Sequence, residues 1–408
     1  MTVTDFASVN WFKDRDVYDD PYDYLDWVRA QHPVWQEPHY GVYFVTGYEE
    51  ALSVYTGIDR FSSCNTVAGP FVKFSEPVEG DDITDLIERC RDELPFSDQL
   101  PSFDPPRHTD HRSLLLRLIT PKRLSENEEF MWRFADQLLD PILERGTSEF
   151  IHDYAEPFTM LVVADLEGVP EEDHGLFRER LSTLPGGHEH KPLEFLYDKF
   201  SEYIEDRRRE PRDDVMGGLA SATFPDGSTP EVKDAALIAA NLFAGGQETT
   251  VRLLSFALKV LGERRDLQEV VREHRDKIPN FLEEVLRMES PLRGQFRMAK
   301  VKTELAGFPI PAGATVMLLP GAANRDPRMF DDPHTFDVDR RNARQHMAFG
   351  FGAHTCAGAP LARAEGKVTL NRLFDRTSEL GLADQEFEYL PTFFLRGLVK
   401  LDVELTAA

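Results

Sequence analysis

Cysteine is scarce: Cys64, Cys90 and Cys356 are the only three in 408 residues. So few, and an odd number, cannot build a disulfide framework; they fit a reducing compartment and leave at least one thiol free for chemistry. Positive charge is also short, with 46 Lys plus Arg against 72 Asp plus Glu and a formal net charge of −26. That excess repels nucleic acid and anionic membrane surfaces, which excludes both as general partners. No apolar run approaches the roughly 20 residues that a membrane span needs. The N-terminal MTVTDFASVNWFKDRD lacks the basic stretch and apolar run of a secretory signal, so a cytoplasmic protein is expected. Neither a solenoid-type repeat nor a Gly/Ser linker divides the chain. Length alone suggests about two or three domains. With 41% hydrophobic and 29% charged residues, the composition is that of an ordinary globular protein.

What is present reads mostly as helix punctuated by proline. Thr229 as N-cap and Pro230 at the first helical position open a run through Leu261, closed by Gly262. That is about 32 residues, roughly 48 Å at ~1.5 Å per residue. Its middle, AALIAANLFAGG, is apolar nearly all round, as in a helix crossing the centre of a large protein. A second helix, Phe281 to Met288, stops before Pro291. The turn region Gly307 to Gly313, the stretch Ala314 to Leu319 and the alternating Phe393 to Leu405 read as strands. The expected class is mainly α with a smaller β portion. Asn65 to Pro106, acidic and rich in Pro and Gly, reads as a mobile covering loop with a short helix near Asp82 to Cys90.

The chemistry concentrates in Phe349-Gly350-Phe351-Gly352-Ala353-His354-Thr355-Cys356-Ala357-Gly358. Glycines at 350, 352 and 358 allow a tight turn and leave N–H groups free to point at a sulfur, so a thiolate there could ligate a metal. A lone Cys in such a turn is ordinarily a small buried hydrophobe. The full pattern F-x-x-G-x-x-x-C-x-G, followed by a helix at Pro360, resembles the haem-ligand loop of the haem-thiolate monooxygenases, the cytochrome P-450 superfamily. Further marks agree from about Tyr18 to the C-terminus. Glu284-Val285-Leu286-Arg287 matches the family's E-x-x-R, and Arg340 in Phe336-Asp337-Val338-Asp339-Arg340 supplies the arginine that completes its ion-pair network. Glu284 and Arg287 at i, i+3 share a helix face, and a second arginine could clamp the carboxylate from a loop. Pro211-Arg212-Asp213-Asp214 and Asn324-Arg325-Asp326-Pro327 are likewise familiar in bacterial members.

Gly245-Gly246-Gln247-Glu248-Thr249-Thr250 lies mid-helix, where each glycine costs up to ~1 kcal/mol relative to Ala, so something must compensate. The resemblance implies the oxygen-activation stretch: glycines that let the helix pass close over haem and open locally, with Glu248 and Thr249 as the acid and alcohol that relay protons. It further implies one triangular domain over residues 1–408, with haem b buried between the long central helix and the Cys356 loop. His108, Arg112, Arg297 and His354 match its propionate-binding positions, while Phe349, Gly350 and Gly358 shape the cofactor loop. Leu242, Phe243, Gly245, Leu292, Phe393 and Phe394 fall in stretches that line the family's substrate pocket. Gln247, Arg293 and Gln295 fall there too; they either orient a polar group of the substrate or turn away into structural hydrogen bonds.

The activity implied is hydroxylation of a small lipophilic molecule of terpenoid, steroid, fatty-acid or aromatic type with O2. Two electrons would come from NAD(P)H through a ferredoxin reductase and a ferredoxin, with no fused reductase domain. Arg107, Arg112, Arg117, Lys122 and Arg123, with Arg341, Arg344, Arg363 and Lys367, offer local positive charge for an acidic ferredoxin. A monomer is expected. Two rivals share the loop: a peroxide-driven peroxygenase, which needs no acid-alcohol pair, and a haem protein that senses gas or carries electrons. The one departure from the family pattern is the long acidic stretch Asn65 to Leu100, which bears on the substrate lid.

Overall fold

The computed structural model describes residues 5–181 and 192–408. These fall into two compact units, each assembled from separated stretches of chain. The first comprises Met1–Pro105, Glu283–Cys356 and Glu388–Gly397; the second comprises Pro106–Leu282, Ala357–Phe387 and Leu398–Ala408.

The first unit is built on a five-stranded sheet in the order Val34–Gln36, Tyr43–Val45, Thr315–Leu318, Gln295–Ala299, Phe61–Ser62. Neighbours run antiparallel except Tyr43–Val45 beside Thr315–Leu318. Because side chains alternate across a strand, the sheet has two apolar faces. Phe44, Phe296 and Met317 meet Trp11, Tyr24 and Val28 on one. Val45, Val316, Leu318 and Ala299 meet Tyr48, Val54 and Tyr55 of the helix Tyr48–Thr56 on the other. The same alternation puts Gln295 and Arg297 on the Tyr55 face. A short helix, Thr84–Cys90, appears where the sequence suggested one. The surrounding segment is less free than a covering loop, because Ile83, Leu86, Ile87, Cys90 and Leu94 pack with Cys64 and Met298.

The second unit is helical. Its longest element, Val232–Glu263, packs against the helices Pro192–Arg209, Glu156–Glu167, Arg107–Leu118 and Ala359–Arg376. A small antiparallel sheet, Thr147–Glu149, Asp402–Ala407 and Thr377–Leu382, closes the unit. The long helix starts two residues later than its Pro230 signal, with Glu231 extended ahead of the first turn. It also runs through Gly262. That glycine does not stop the helix; it makes room for Leu382, whose Cγ would lie 2.4 Å from any Cβ added there. The strand expected over Phe393 to Leu405 is likewise shorter. Only Asp402–Ala407 is a strand, while Leu390 accepts no ladder and its N–H instead closes a turn onto the Gly397 carbonyl at 2.9 Å.

Burial sets one pH dependence. Glu167 ends the helix Glu156–Glu167 fully buried, and among the described residues neither carboxylate oxygen has a hydrogen-bond partner. Burial pushes its carboxyl well above the usual range, and a helix C-terminus disfavours negative charge as well. The folded state therefore holds the proton more tightly than the unfolded chain. Stability must fall as pH rises from the unfolded carboxyl value of about 4.3 towards the raised folded one. Glu167→Gln removes this slope, so thermal unfolding of parent and variant should show an advantage for the variant that is larger at pH 8 than at pH 5.

Candidate functional site

The ligand loop is held from three sides within the first unit. Cys356 N–H donates to the Phe349 carbonyl at 2.8 Å and closes the loop. Gly350 and Gly352 adopt φ of +63° and +71°, and a Cβ on Gly352 would lie 2.7 Å from the Tyr55 carbonyl oxygen, so only glycine fits. Just upstream, Met347 N–H donates to Asn324 Oδ1 at 2.6 Å, and the His346 ring meets Glu283 Oε2 at 2.9 Å. On the far side His354 Nε2 lies 3.0 Å from Ser63 Oγ. Ser62 Oγ and Ser63 N–H both donate to Asp104, which Arg91 holds at 2.7 Å. Gly358 follows as the residue that leads into the helix Ala359–Arg376.

The outcome is one exposed thiol on a rigid loop. Cys356 is exposed, whereas Cys64 and Cys90 are buried. Burial pushes the Cys64 thiol up to about 11, which leaves it inert at neutral pH.

Behind the loop stands the ion-pair network. Arg287 makes two bonds to the Glu284 carboxylate, at 2.7 and 2.8 Å, and Arg340 Nε reaches it at 3.0 Å. Glu284 and Arg287 side chains are both fully buried. The remaining guanidinium donors are spent on carbonyls: Arg287 on those of Asn324, Pro333 and Thr335, Arg340 on those of Asp331, Asp332 and Thr335. Asn324 relays this order, since its carbonyl receives Arg287 and its side chain receives Met347 of the ligand loop.

Arg297 tests whether a carboxylate-bearing cofactor fits. Its guanidinium is buried and donates to Thr66 Oγ1 at 2.8 Å and to the Phe296 carbonyl at 2.7 Å. No carboxylate among the described residues pairs with it, and burial pulls its pKa below the usual arginine value. Among the described residues the buried Tyr55 hydroxyl and both polar atoms of the Asn65 side chain also lack partners. Buried cations and polar groups of this kind are stable when paired. Haem propionates would supply the missing acceptors, so the donor set fits haem.

In the second unit His108, buried, and Arg112 stand one turn apart on the helix Arg107–Leu118. The central helix runs unbroken through residues 245–250, so the local opening expected from its glycines is not seen. The two glycines serve different ends. A Cβ on Gly246 would lie 3.1 Å from Val163 Cγ2, whereas a Cβ on Gly245 would meet nothing within 4 Å. Thr249 turns its hydroxyl back along the helix to the Gly245 carbonyl at 2.9 Å. Glu248 pairs with Arg252 at 3.2 Å, and its side chain is 40% exposed. Arg252 is in turn fixed to the Leu398 carbonyl.

The expected pocket residues divide. Arg293 takes the structural alternative: it is buried and donates to the Leu395, Val17 and Tyr18 carbonyls. Phe243 is fully buried against Phe177 and Phe200 and serves helix packing. Leu292 bridges to Leu395, and Phe393 and Phe394 pack at the margin of the Trp11 cluster. Gln295 lies beside Gly350 of the ligand loop, and Gln247 and Leu242 share the central helix with Gly245. Ser63, Thr66, Tyr55 and Asn324 were not picked out from the sequence as individual contributors. Only Asn324 carries a signal there, within Asn-Arg-Asp-Pro.

Comparison with known proteins agrees with this geometry. The Cytochrome P450 family model matches residues 181–378. The substrate-free cytochrome P450 CYP150A6 of Mycobacterium marinum is 50% identical, with a TM-score of 0.95 over 99% of this chain and 100% of that one. Cytochrome P450 144 of Mycobacterium tuberculosis is 31% identical over 99% of this chain and 92% of that protein. The steroid C26-monooxygenase of the same species is 28% identical over 93% and 92%. The chain belongs to the cytochrome P450 family. It is a monooxygenase whose cofactor is haem and whose co-substrates are O2 and a lipophilic molecule. No helix among the described residues is long and apolar enough to cross a membrane.

Removing one partner of a buried ion pair strands the other charge, at a cost of about 3–5 kcal/mol. Glu284→Gln should therefore lower urea-unfolding stability by roughly that amount. Arg344→Gln, at a side chain 74% exposed, should leave it within about 0.5 kcal/mol.

Proposed function

We propose that this protein hydroxylates a small, mainly apolar substrate, of terpenoid, steroid, fatty-acid or aromatic type, as one catalytic domain of the cytoplasm. Cys356 would be the thiolate ligand of the haem iron. The observation that carries the reading is this thiol, exposed on a loop that glycines, Asn324 and Ser63 hold in place. Arg297, His354, His108 and Arg112 would hold the haem carboxylates, with Phe349, Gly350 and Gly358 shaping the loop. Electrons come from NAD(P)H through a ferredoxin reductase and a ferredoxin. Exposed cations such as Lys122 and Arg344 support docking of an acidic ferredoxin despite the net charge of −26. Arg123 does not serve that role, since it is half-buried and bonded to the Leu166 carbonyl.

When bound, haem with a thiolate ligand activates O2 and carries the oxidation of the substrate C–H bond. The chain supplies proton control. The Glu248 carboxylate is open to solvent on one side and leashed to Arg252 on the other, so it can take up a proton on release from that pair. Thr249 Oγ1, parked on the Gly245 carbonyl, needs only a side-chain rotation to turn its hydroxyl away from its own helix. Leu242, Leu292, Phe393 and Phe394 supply apolar surface, and Gln247 and Gln295 are the polar groups left to orient a substrate once Arg293 is committed elsewhere. The name of the steroid C26-monooxygenase relative supports an apolar substrate.

Two measurements test this. The reduced carbon monoxide complex should show the strongly red-shifted Soret band of a thiolate-ligated haem. Cys356→His should lose that shift, and Cys64→Ala and Cys90→Ala should keep it; an unaltered band in Cys356→His would remove the ligand assignment.

Proton control is read from product formed and peroxide released per NAD(P)H. Thr249→Ala should keep consuming reductant but divert about tenfold or more of it from product to hydrogen peroxide. Glu248→Gln should slow oxygen consumption by roughly 10²-fold, the lower end for a lost proton-transfer group. Both variants should bind haem normally.

A further inference from the structure

Two neighbouring glutamates on the helix Ile278–Met288 reach the ligand loop by separate routes. Glu284 acts through Arg287 and Asn324. Glu283 acts through His346. Both side chains are buried, and His346 Nε2 lies 2.9 Å from Glu283 Oε2. The other ring nitrogen, Nδ1, accepts the Ala348 N–H at 3.1 Å. A side-chain acceptor two residues before the N–H it receives makes a turn of the kind that Asn and Asp usually build. Asn would serve for that turn alone. Histidine adds a second nitrogen on the far side of the ring, and in this interior that nitrogen needs a partner of its own.

These two contacts fix the proton. A backbone N–H can only donate, so Nδ1 turns its lone pair to Ala348 and the ring proton sits on Nε2, where it donates to Glu283. The imidazole is therefore neutral. With the Arg344 guanidinium 3.9 Å from its other oxygen, the Glu283 carboxyl stands behind the loop as a carboxylate. The ring also reaches forward. It lies 5.6 Å from the Phe349 ring, tilted by 47°, and the Phe349 carbonyl is the acceptor that closes the loop on Cys356 N–H at 2.8 Å. The residues just before are anchored by other means: Met347 is buried in the cluster of Tyr48 and Phe330, and the Tyr48 hydroxyl donates to the Gln345 carbonyl at 2.7 Å. His346 adds the placement of Ala348 and Phe349.

We propose that Glu283 and His346 are positioning residues for the haem-thiolate centre: the ring holds Ala348 and Phe349 so that Cys356 stays seated on iron, and the buried charge opposes addition of an electron there. Groups that touch a metal's ligands and not the metal orient those ligands and tune the metal in this way. The opposition is coulombic, since reduction adds negative charge near a carboxylate that water screens poorly. The inference rests on the P450 reading; the hold of His346 on the loop does not.

The haem-loaded parent is compared with Glu283→Gln alone and with Glu283→Gln joined to His346→Asn or to His346→Phe, so that no variant strands a buried charge. Three readings are taken. They are hydrogen exchange over residues 346–350, the rate at which the reduced carbon monoxide complex loses its red-shifted Soret band in mild urea, and the ferrous-to-ferric ratio against a one-electron dye. In the last, one electron passes from reduced dye to ferric haem and no bond is made or broken. Glu283→Gln can still accept from Nε2, so its exchange and band loss should match the parent, while the ferrous-to-ferric ratio rises about threefold or more. Adding His346→Phe keeps a ring without either bond and should speed exchange and band loss about tenfold, the weight of about one buried hydrogen bond. Adding His346→Asn restores the acceptor for Ala348 and should stay within about threefold of Glu283→Gln. If the Phe protein does not fold, Glu283→Leu with His346→Phe takes its place. Band loss at the parent rate in the Phe protein overturns the positioning role, even where its urea stability falls, because His346 would then be an ordinary core contact. Equal damage in the Asn and Phe proteins overturns the Ala348 bond, and an unchanged ratio in Glu283→Gln overturns the role of the charge. If the parent shows no red-shifted band, the P450 reading fails, and exchange over residues 346–350 still decides the hold on the loop.

Discussion

One buried carboxylate organises the first unit. Glu284 would be untenable in the interior without compensation, and two arginines provide it from different parts of the chain, Arg287 on the same helix and Arg340 from a loop more than fifty residues away. Because a guanidinium has five donors and the carboxylate uses only some of them, the rest must find carbonyls. They find Asn324, Asp331, Asp332, Pro333 and Thr335, all in irregular backbone that no sheet or helix would otherwise order. The geometry of the ion pair becomes the geometry of a loop. Asn324 carries that order to Met347 and so to the segment that presents Cys356. The ion pair contributes less to net stability than to selecting one arrangement of a glycine-rich loop that could otherwise take many.

Much of this was legible before any coordinates. The Glu284–Arg287 pair and the long apolar helix are found where the sequence placed them, and Cys356 is an exposed thiol on its glycine-rich loop. Boundaries were less legible, because competing signals looked alike. Pro230 preceded the helix start by two residues, and Gly262 read as a stop although its role is to admit Leu382. Arg293 illustrates a deeper limit. An arginine beside a pocket reads equally as a substrate contact or a structural clamp, and what decides it is three carbonyls from residues far away in sequence. Tyr55 shapes the ligand loop through its backbone carbonyl, an atom every residue has, so no sequence signal marks it. The glycines of the central helix were correctly read as purposeful, but the opening they suggested is replaced by a continuous helix in which Thr249 satisfies its hydroxyl locally.

The resting arrangement of the central helix is one of restraint. Glu248 is held by Arg252 and Thr249 by Gly245, each within one turn. The two ties differ in setting: Glu248 is 40% exposed while its partner Arg252 is buried, and the Thr249 hydroxyl rests on a carbonyl of its own helix. Both side chains are thus held within one turn of an unbroken helix.

Gly246 has a wider consequence. A Cβ there would lie 3.1 Å from Val163 Cγ2 on the neighbouring helix Glu156–Glu167, a tight approach that the valine would have to yield slightly to admit. The two positions are therefore coupled in size. Enlarging residue 246 asks Val163 to give way or the central helix to shift, and Gly245, Glu248 and Thr249 stand on that helix. A valine on a neighbouring helix thereby helps to fix where residues 245–249 stand.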